Sequence, residues 1–368
     1  MMEFLSRAFG GDKSGKESGK EPGKPRGAKR VNLALQGGGA HGAFTWGVLD
    51  HLLEDGRLAV EGISGTSAGA VNAVMLADGL RTSPEEARNR LADFWRAASL
   101  GGDLPAVQRA VIGRLFSLLP GEGSPGLDWL TAWSRYLSPY DVNPLNINPL
   151  KDLIERFVDF EKLRADARPI YIAATNVQTG RLHIFPHDKI SAEAVMASAC
   201  LPAVFRAVEI DGASYWDGGY LGNPVLYPFF RSTASEDVVI VQINPLVRRK
   251  VPHSTRAIMA RVNEITFNSA LMAELRAIEF VNRQIDQDRL PRGTGTNEYR
   301  RLNVHRIVLE GLGERFASAT KLRNDYESFE LLRKLGQRAA RRFLDAHYDD
   351  IGVSSSIDLN AEVYAERG

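Results

Sequence analysis

Residues 31–69 read VNLALQGGGAHGAFTWGVLDHLLEDGRLAVEGISGTSAG, and this stretch decides the fold class. Val31-Asn32-Leu33-Ala34-Leu35-Gln36 is a short apolar run closed by glycines, the pattern of a buried strand. From His41 to Leu53 the apolar residues Ala43, Phe44, Trp46, Val48, Leu49 and Leu52 recur at helical spacing. Gly56 then stops that helix. Ala59 to Ser64 reads as a second strand and Ser67 to Leu80 as a second helix. Strand, glycine turn, helix, strand, tight turn, helix is the opening of a parallel α/β sheet.

Further along, residues 84–160 are mostly helical by pattern, with proline-rich interruptions at 120–125 and 139–149. Strand signals return at 169–175, 182–185 and 238–243, and once more at 304–309. A long helix is predicted over 258–285 and an amphipathic one over 326–344. The expected organisation is a disordered basic leader over 1–30, an α/β domain over 31–231, a C-terminal strand and helical extension over 232–350 packed on the same domain, and a tail over 351–368.

Composition narrows the function classes. Hydrophobic residues make up 44% of 368, enough for a sizeable core. A net charge of +1 argues against a nucleic acid held by bulk electrostatics, so none is expected as a partner. It leaves a lipid surface open. No apolar run reaches the ~18 residues that span a bilayer, and Met1 to Phe9 is too short and polar for a signal-peptide core. Cys200 is the only cysteine, which excludes an intrachain disulfide and makes a reducing, cytoplasmic location the expectation. Cys200 itself reads as a small core residue. Residues 10–30 carry seven Lys or Arg against three acids and few apolar groups. This leader is read as solvated, with a peripheral membrane tether as the second reading.

Gly65-Thr66-Ser67-Ala68-Gly69 has the G-x-S-x-G form of a nucleophile elbow, here between a predicted strand and a predicted helix. Small residues at 65 and 69 let strand and helix approach, which leaves Ser67 exposed on a sharp turn at a helix N-terminus. Gly37, Gly38 and Gly39, with Gly42, form the earlier strand-to-helix turn and can converge backbone N–H groups on an oxyanion. The same glycines match a dinucleotide fingerprint, with Glu61 about 20 residues on as its acid. That rival leaves the elbow unexplained, whereas ester hydrolysis uses both motifs. A catalytically silent binding protein is the other alternative. For the base, His253 and His305 are candidates in a triad order, and Asp217 in Tyr215-Trp216-Asp217-Gly218-Gly219-Tyr220 is the sharper one. No cluster has metal-ligand spacing, and neither a metal nor a cofactor is expected.

The set GGGAHG at 37–42, GTSAG at 65–69 and DGG at 217–219 resembles the patatin-like phospholipase family. Ala197-Ser198-Ala199-Cys200-Leu201-Pro202 is similar to the segment preceding its aspartate motif. The resemblance covers about residues 31–231. It implies a three-layer sandwich with a mainly parallel central sheet, and a Ser-Asp dyad serine esterase that degrades lipids through an acyl-enzyme. Carried over, Ser67 is the nucleophile and Asp217 the general base. Gly37, Gly38 and Gly39 supply the oxyanion hole, and Gly42, Gly65, Gly69, Gly218 and Gly219 support the motifs. The substrate implied is a phospholipid or acylglycerol, with an intracellular polyester or a general ester as the alternative. Two departures stand out. His41 replaces a commoner Arg or Lys, and Gly219 replaces a commoner alanine, an exchange expected to be silent. An aspartate needs a raised pKa to serve as base, so Asp217 is expected in a dry pocket lined by neighbours such as Trp216. The aromatic stretch Leu127–Tyr140 is read as a lid or acyl wall, or equally as a packing helix.

Overall fold

β1 (Lys29–Leu35) leads through a 3-10 turn (Gly39–His41) into α1 (Gly42–Asp55), which returns the chain to β2 (Leu58–Gly65) parallel to β1. Gly56 ends α1 in the left-handed conformation at φ 71°, its N–H bonding Leu52 O at 3.2 Å. The structure, a computed structural model, describes residues 27–99, 140, 148–202, 205–248, 250–293, 298–310 and 325–364. The leader up to residue 26, and the aromatic stretch 127–140 apart from Tyr140, lie outside the described residues.

After β2 come α2 (Ala68–Leu80), α3 (Pro84–Ala97), α4 (Pro149–Phe157) and α5 (Phe160–Arg164). Then follow β3 (Ile170–Asn176), β4 (Arg181–Phe185), α6 (Ala192–Ser198), β5 (Val208–Ile210) and β6 (Ala213–Asp217). The chain continues with α7 (Phe229–Ser232), β7 (Asp237–Gln242), α8 (Thr255–Asp286), β8 (Asn303–Val308), α9 (Tyr326–His347) and α10 (Leu359–Tyr364).

The sheet order is β5-β6-β3-β2-β1-β7-β8, with β4 paired to β3. β3, β2, β1, β7 and β8 are parallel, and the antiparallel pairs gather at the β3–β6–β5 end. Side-chain alternation explains the three layers. In β7, Val239 and Val241 join the core shared with α1, α2, α3 and α9, while Val238 and Ile240 join the core of Leu271, Leu275 and Ile278 from α8. Both faces are covered, so β7 is an unbroken apolar run rather than an alternating one. β7 lies inside the sheet against β1, so residues beyond 231 complete the same sheet.

On the first face α9 crosses α1 at backbone distance. A Cβ at Gly336 would strike Phe44 O and lie 2.8 Å from Val48 N, and one at Gly47 would strike the Arg333 carbonyl. Around the crossing, Asp50 accepts from Arg88, Arg333 and Gln337. These guanidiniums hold the Asp50 carboxyl below the usual carboxylate range against its burial. Gly336→Ala is expected to force the helices apart and destabilise the protein by ~1–3 kcal/mol. A lower urea midpoint at unchanged slope would show this, and an unchanged midpoint would contradict the crossing.

Candidate active site

Two loops and one strand end meet at the C-terminal edge of β1 and β2. Ser67 follows β2 directly and has φ 55° and ψ −123°, a sparsely populated conformation for a residue with a side chain. The elbow is tight because Gly65 and Gly69 are in contact. A Cβ at Gly65 would lie 2.5 Å from Gly69 O, and one at Gly69 would strike Leu35 O at the end of β1. The Ser67 amide donates to Ser198 Oγ at 2.9 Å, which fixes the elbow to the end of α6. Thr66 Oγ1 donates to Gly222 O at 2.6 Å and ties the elbow to the aspartate loop.

Asp217 ends β6, aligned with Ala174 of β3. Its backbone is held on both sides: its N–H donates to Cys200 O at 2.8 Å, and Thr175 Oγ1 donates to its carbonyl at 2.8 Å. The side chain is fully buried. Oδ1 accepts from Gly219 N at 2.7 Å, while Oδ2 has no hydrogen-bond partner among the described residues. Burial pushes the carboxyl up to about 7, against the opposing pull of the Gly219 amide and the Ser67 hydroxyl. The Ser67 hydroxyl thus acts on Asp217 without reaching hydrogen-bond geometry. Cys200 behaves as the sequence suggests. It is buried, with its thiol pushed up to about 12 by burial first and by the nearby Asp217 second.

Asp217 is buried as expected, but Trp216 is not its wall. Strand alternation sends Trp216 to the face opposite Asp217. Phe267 of α8 stands close instead. A Cβ at Gly219 would lie 2.9 Å from Asp217 Oδ1 and 3.1 Å from the Phe267 ring. Alanine at 219 would therefore press on the carboxylate, contrary to the expectation of a silent exchange. Gly218 is equally confined, because a Cβ there would strike Ala173 O.

The glycine turn packs on the elbow. A Cβ at Gly37 would lie 2.6 Å from Thr66 O and 2.7 Å from Ser67 Cβ, and one at Gly42 would lie 2.8 Å from Ala68 Cβ. Gly37 corrects one expectation. Its N–H donates to Asn223 Oδ1 at 2.6 Å, so it is committed and cannot also hold an oxyanion. Among the described residues, the amides of Gly38 and Gly39 donate to no protein acceptor. Ala68, the first residue of α2, has its N–H at the helix N-terminus, outside the ladder. Its position after the serine makes it a third candidate donor that the sequence reading omitted.

Four buried amides set the turn's shape. Gln36 Oε1 accepts from Ile243 N and Asn244 N, each at 2.8 Å, and its Nε2 donates to Asn268 Oδ1 at 2.9 Å. Asn244 Nδ2 donates to Gly37 O at 2.8 Å. None of Gln36, Asn223, Asn244 and Asn268 was singled out in the sequence. The signal available was the pair of Asn-Pro dipeptides at 223–224 and 244–245.

The rival residues lie elsewhere. Glu61 accepts from Ala234 N at 2.7 Å and Ser235 N at 2.9 Å, so it caps the entry to β7 and is spent as a ribose ligand. His305 is buried and faces Asp237 Oδ1 at 2.9 Å, but Asp237 begins β7, at the opposite end of the strands from Ser67. His253 is exposed in the turn before α8.

The sequence matches the model of the patatin-like phospholipase family over residues 33–229. A search of curated proteins found none that matches. Among solved structures, the chain is similar to VipD from Legionella pneumophila at 15% identity and a TM-score of 0.40, covering 87% of this chain and 67% of that one. It is also similar to ExoU in its heterodimeric complex with SpcU from the type III secretion system of Pseudomonas aeruginosa, at 16% identity and a TM-score of 0.29, covering 92% and 75%. The family match spans more than half of the 368 residues and takes in both glycine turns, the elbow serine and Asp217; the chain belongs to the patatin-like phospholipase family.

Proposed function

We propose that this protein hydrolyses carboxylic ester bonds of lipids through a Ser67–Asp217 dyad. The observation that carries the reading is the state of Asp217: fully buried, raised to about 7, with one oxygen unpartnered and the Ser67 hydroxyl acting on it. A carboxyl poised near neutrality is a far better base than one at ~3.9. Ser67 Oγ attacks the ester carbonyl and passes its proton to Asp217. The oxygen that gains charge is held by the amides of Gly38, Gly39 and Ala68, helped by the positive end of α2. As the tetrahedral intermediate collapses, Asp217 returns the proton to the departing alcohol and leaves an acyl group on Ser67. Water then gives a proton to Asp217, attacks the acyl carbonyl and releases the carboxylic acid, and Ser67 recovers its proton.

Residues 31–231 and 232–350 act as one catalytic unit in this reading, since Asn244 and Asn268 shape the turn that holds the oxyanion. The substrate class is a phospholipid or acylglycerol. The test is acid release from a panel of phospholipids, acylglycerols, short aryl esters and polyhydroxybutyrate, together with labelling by a fluorophosphonate. The expected result is preferential release from a lipid ester and a single adduct on the peptide containing Ser67. Labelling elsewhere, or no release from any ester, would reject the reading. Release from polyhydroxybutyrate alone would move the substrate to polyesters.

A further inference from the structure

α8 is the 32-residue helix that braces the candidate site, and its first turns carry an apolar face that stands half-exposed among the described residues. Ile258, Met259, Val262 and Ile265 are each 44–54% exposed. Ile258, Val262 and Ile265 are spaced by four and three, so they form one stripe along the helix. The next residues turn inward. Phe267 packs against Gly219 and Tyr220, and Asn268 bonds Gln36 beneath the oxyanion turn. Ile258 is only nine residues, ~14 Å, along the helix from Phe267. The stripe is thus rigidly joined to both halves of the candidate site.

The segment around it is basic. Residues 245–265 contain five Lys or Arg and one acid, Glu264, in a chain whose net charge is +1. Glu264 is held by Arg248 at 2.5 and 2.7 Å and by Arg261 at 3.4 Å, and Arg261 also donates to Pro245 O and Leu246 O. This cluster fastens the loop 245–248 to the side of the helix. Arg261, three residues after Ile258 and four before Ile265, edges the stripe. Further along the loop, Lys250 and Val251 are exposed, Val251 by 76%.

We infer that this face of α8, with its basic border, is where the protein seats on an anionic lipid surface. The inference rests on the lipid-ester reading of the Ser67 site. An apolar stripe that sinks into the acyl boundary, bordered by cations at headgroup depth, is the pattern of an interfacial helix. Four half-exposed side chains present roughly 400 Å², short of the ~800 Å² per partner that a stable dimer needs. The charge border favours lipid over a second copy of a chain that carries the same positive border. Docked this way, α8 links the lipid surface to the aspartate loop and the oxyanion turn, which pack on its inward side through Phe267 and Asn268.

The test uses the full chain and its Ile258→Gln/Val262→Gln/Ile265→Gln variant, co-sedimented with phosphatidylglycerol or phosphatidylcholine vesicles. Wild type is expected on phosphatidylglycerol, with partitioning reduced at least about tenfold in the triple variant. Lys250→Gln is expected to weaken phosphatidylglycerol binding about fivefold and to leave phosphatidylcholine binding unchanged. Hydrolysis of vesicle lipid should fall in step, while turnover of a soluble short-chain aryl ester and the melting temperature stay as in wild type. Equal partitioning of wild type and triple variant would overturn the inference. So would absent wild-type binding, or a loss of dimer in sedimentation velocity as the variant's only change. Ser67→Ala separates the two readings. If it still cleaves the aryl ester, the site assignment fails while its vesicle binding continues to report on α8.

Discussion

Replacing Ser67 by alanine is expected to lower kcat for ester hydrolysis by at least about 10⁴-fold, with only a small change in KM. The hydroxyl becomes bonded to substrate only as the reaction proceeds, so its loss falls on the transition state. A residual rate above that of water should persist, because the amides of Gly38, Gly39 and Ala68 still polarise a bound carbonyl. Stability should be unaffected in alanine. The contact that anchors the elbow is the Ser67 amide to Ser198 Oγ, and alanine retains it. Ser67→Gly adds a second reading. Glycine adopts φ 55° without the side-chain penalty, so this variant should be as inactive as alanine yet more stable by ~1 kcal/mol. Activity and thermal melts of the two variants check both points. An alanine variant with undiminished turnover would remove Ser67 from the chemistry.

The elbow was legible because everything it needs is local. β1, α1, β2 and α2 announce themselves through apolar period and glycine punctuation between residues 29 and 80, and the structure builds them where the sequence indicates. β7 was legible for the complementary reason, since burial on both faces writes an uninterrupted apolar run. The β5–β6 hairpin that carries Asp217 was not read as strands. Its strands are three and five residues long, and only the Asp211-Gly212 turn between them left a signal, with φ 50° and 79°. Trp216 was placed on the wrong side for the same reason, because a residue's face is undefined until it is known to lie in a strand. The amide network was beyond reach in another way. Asn223 lies 186 residues from Gly37, and Asn268 lies 232 from Gln36. Composition along the chain carries no information on which distant amides meet, and so it could not show that the N–H of Gly37 is occupied.

Asp217→Asn should nearly abolish hydrolysis, by about 10³–10⁴-fold, while making the protein more stable above neutral pH. The amide keeps the acceptor for the Gly219 N–H, so the loop geometry survives, but it cannot take the serine proton. In wild type, turnover should rise with pH through an apparent pKa near 7 and level off above it, since the carboxylate form is the base. Each unit below that value should lower the rate about tenfold. The stability effect has the opposite sense. The folded pKa lies near 7 and the unfolded one near 3.8, so between these values the folded state holds the extra proton. Stability is then greatest below the unfolded value and is lost as pH rises through the folded one. Carrying the buried carboxylate at pH 8 costs on the order of 4 kcal/mol at most. Asparagine removes that cost, so the variant should melt higher than wild type at pH 8 and converge with it near pH 4. A pH–rate profile and melts at the two pH values measure both effects. An active asparagine variant would return the base to another residue, and an identical melt at pH 8 would mean that Asp217 is not charged in the dry pocket that the proposed chemistry requires.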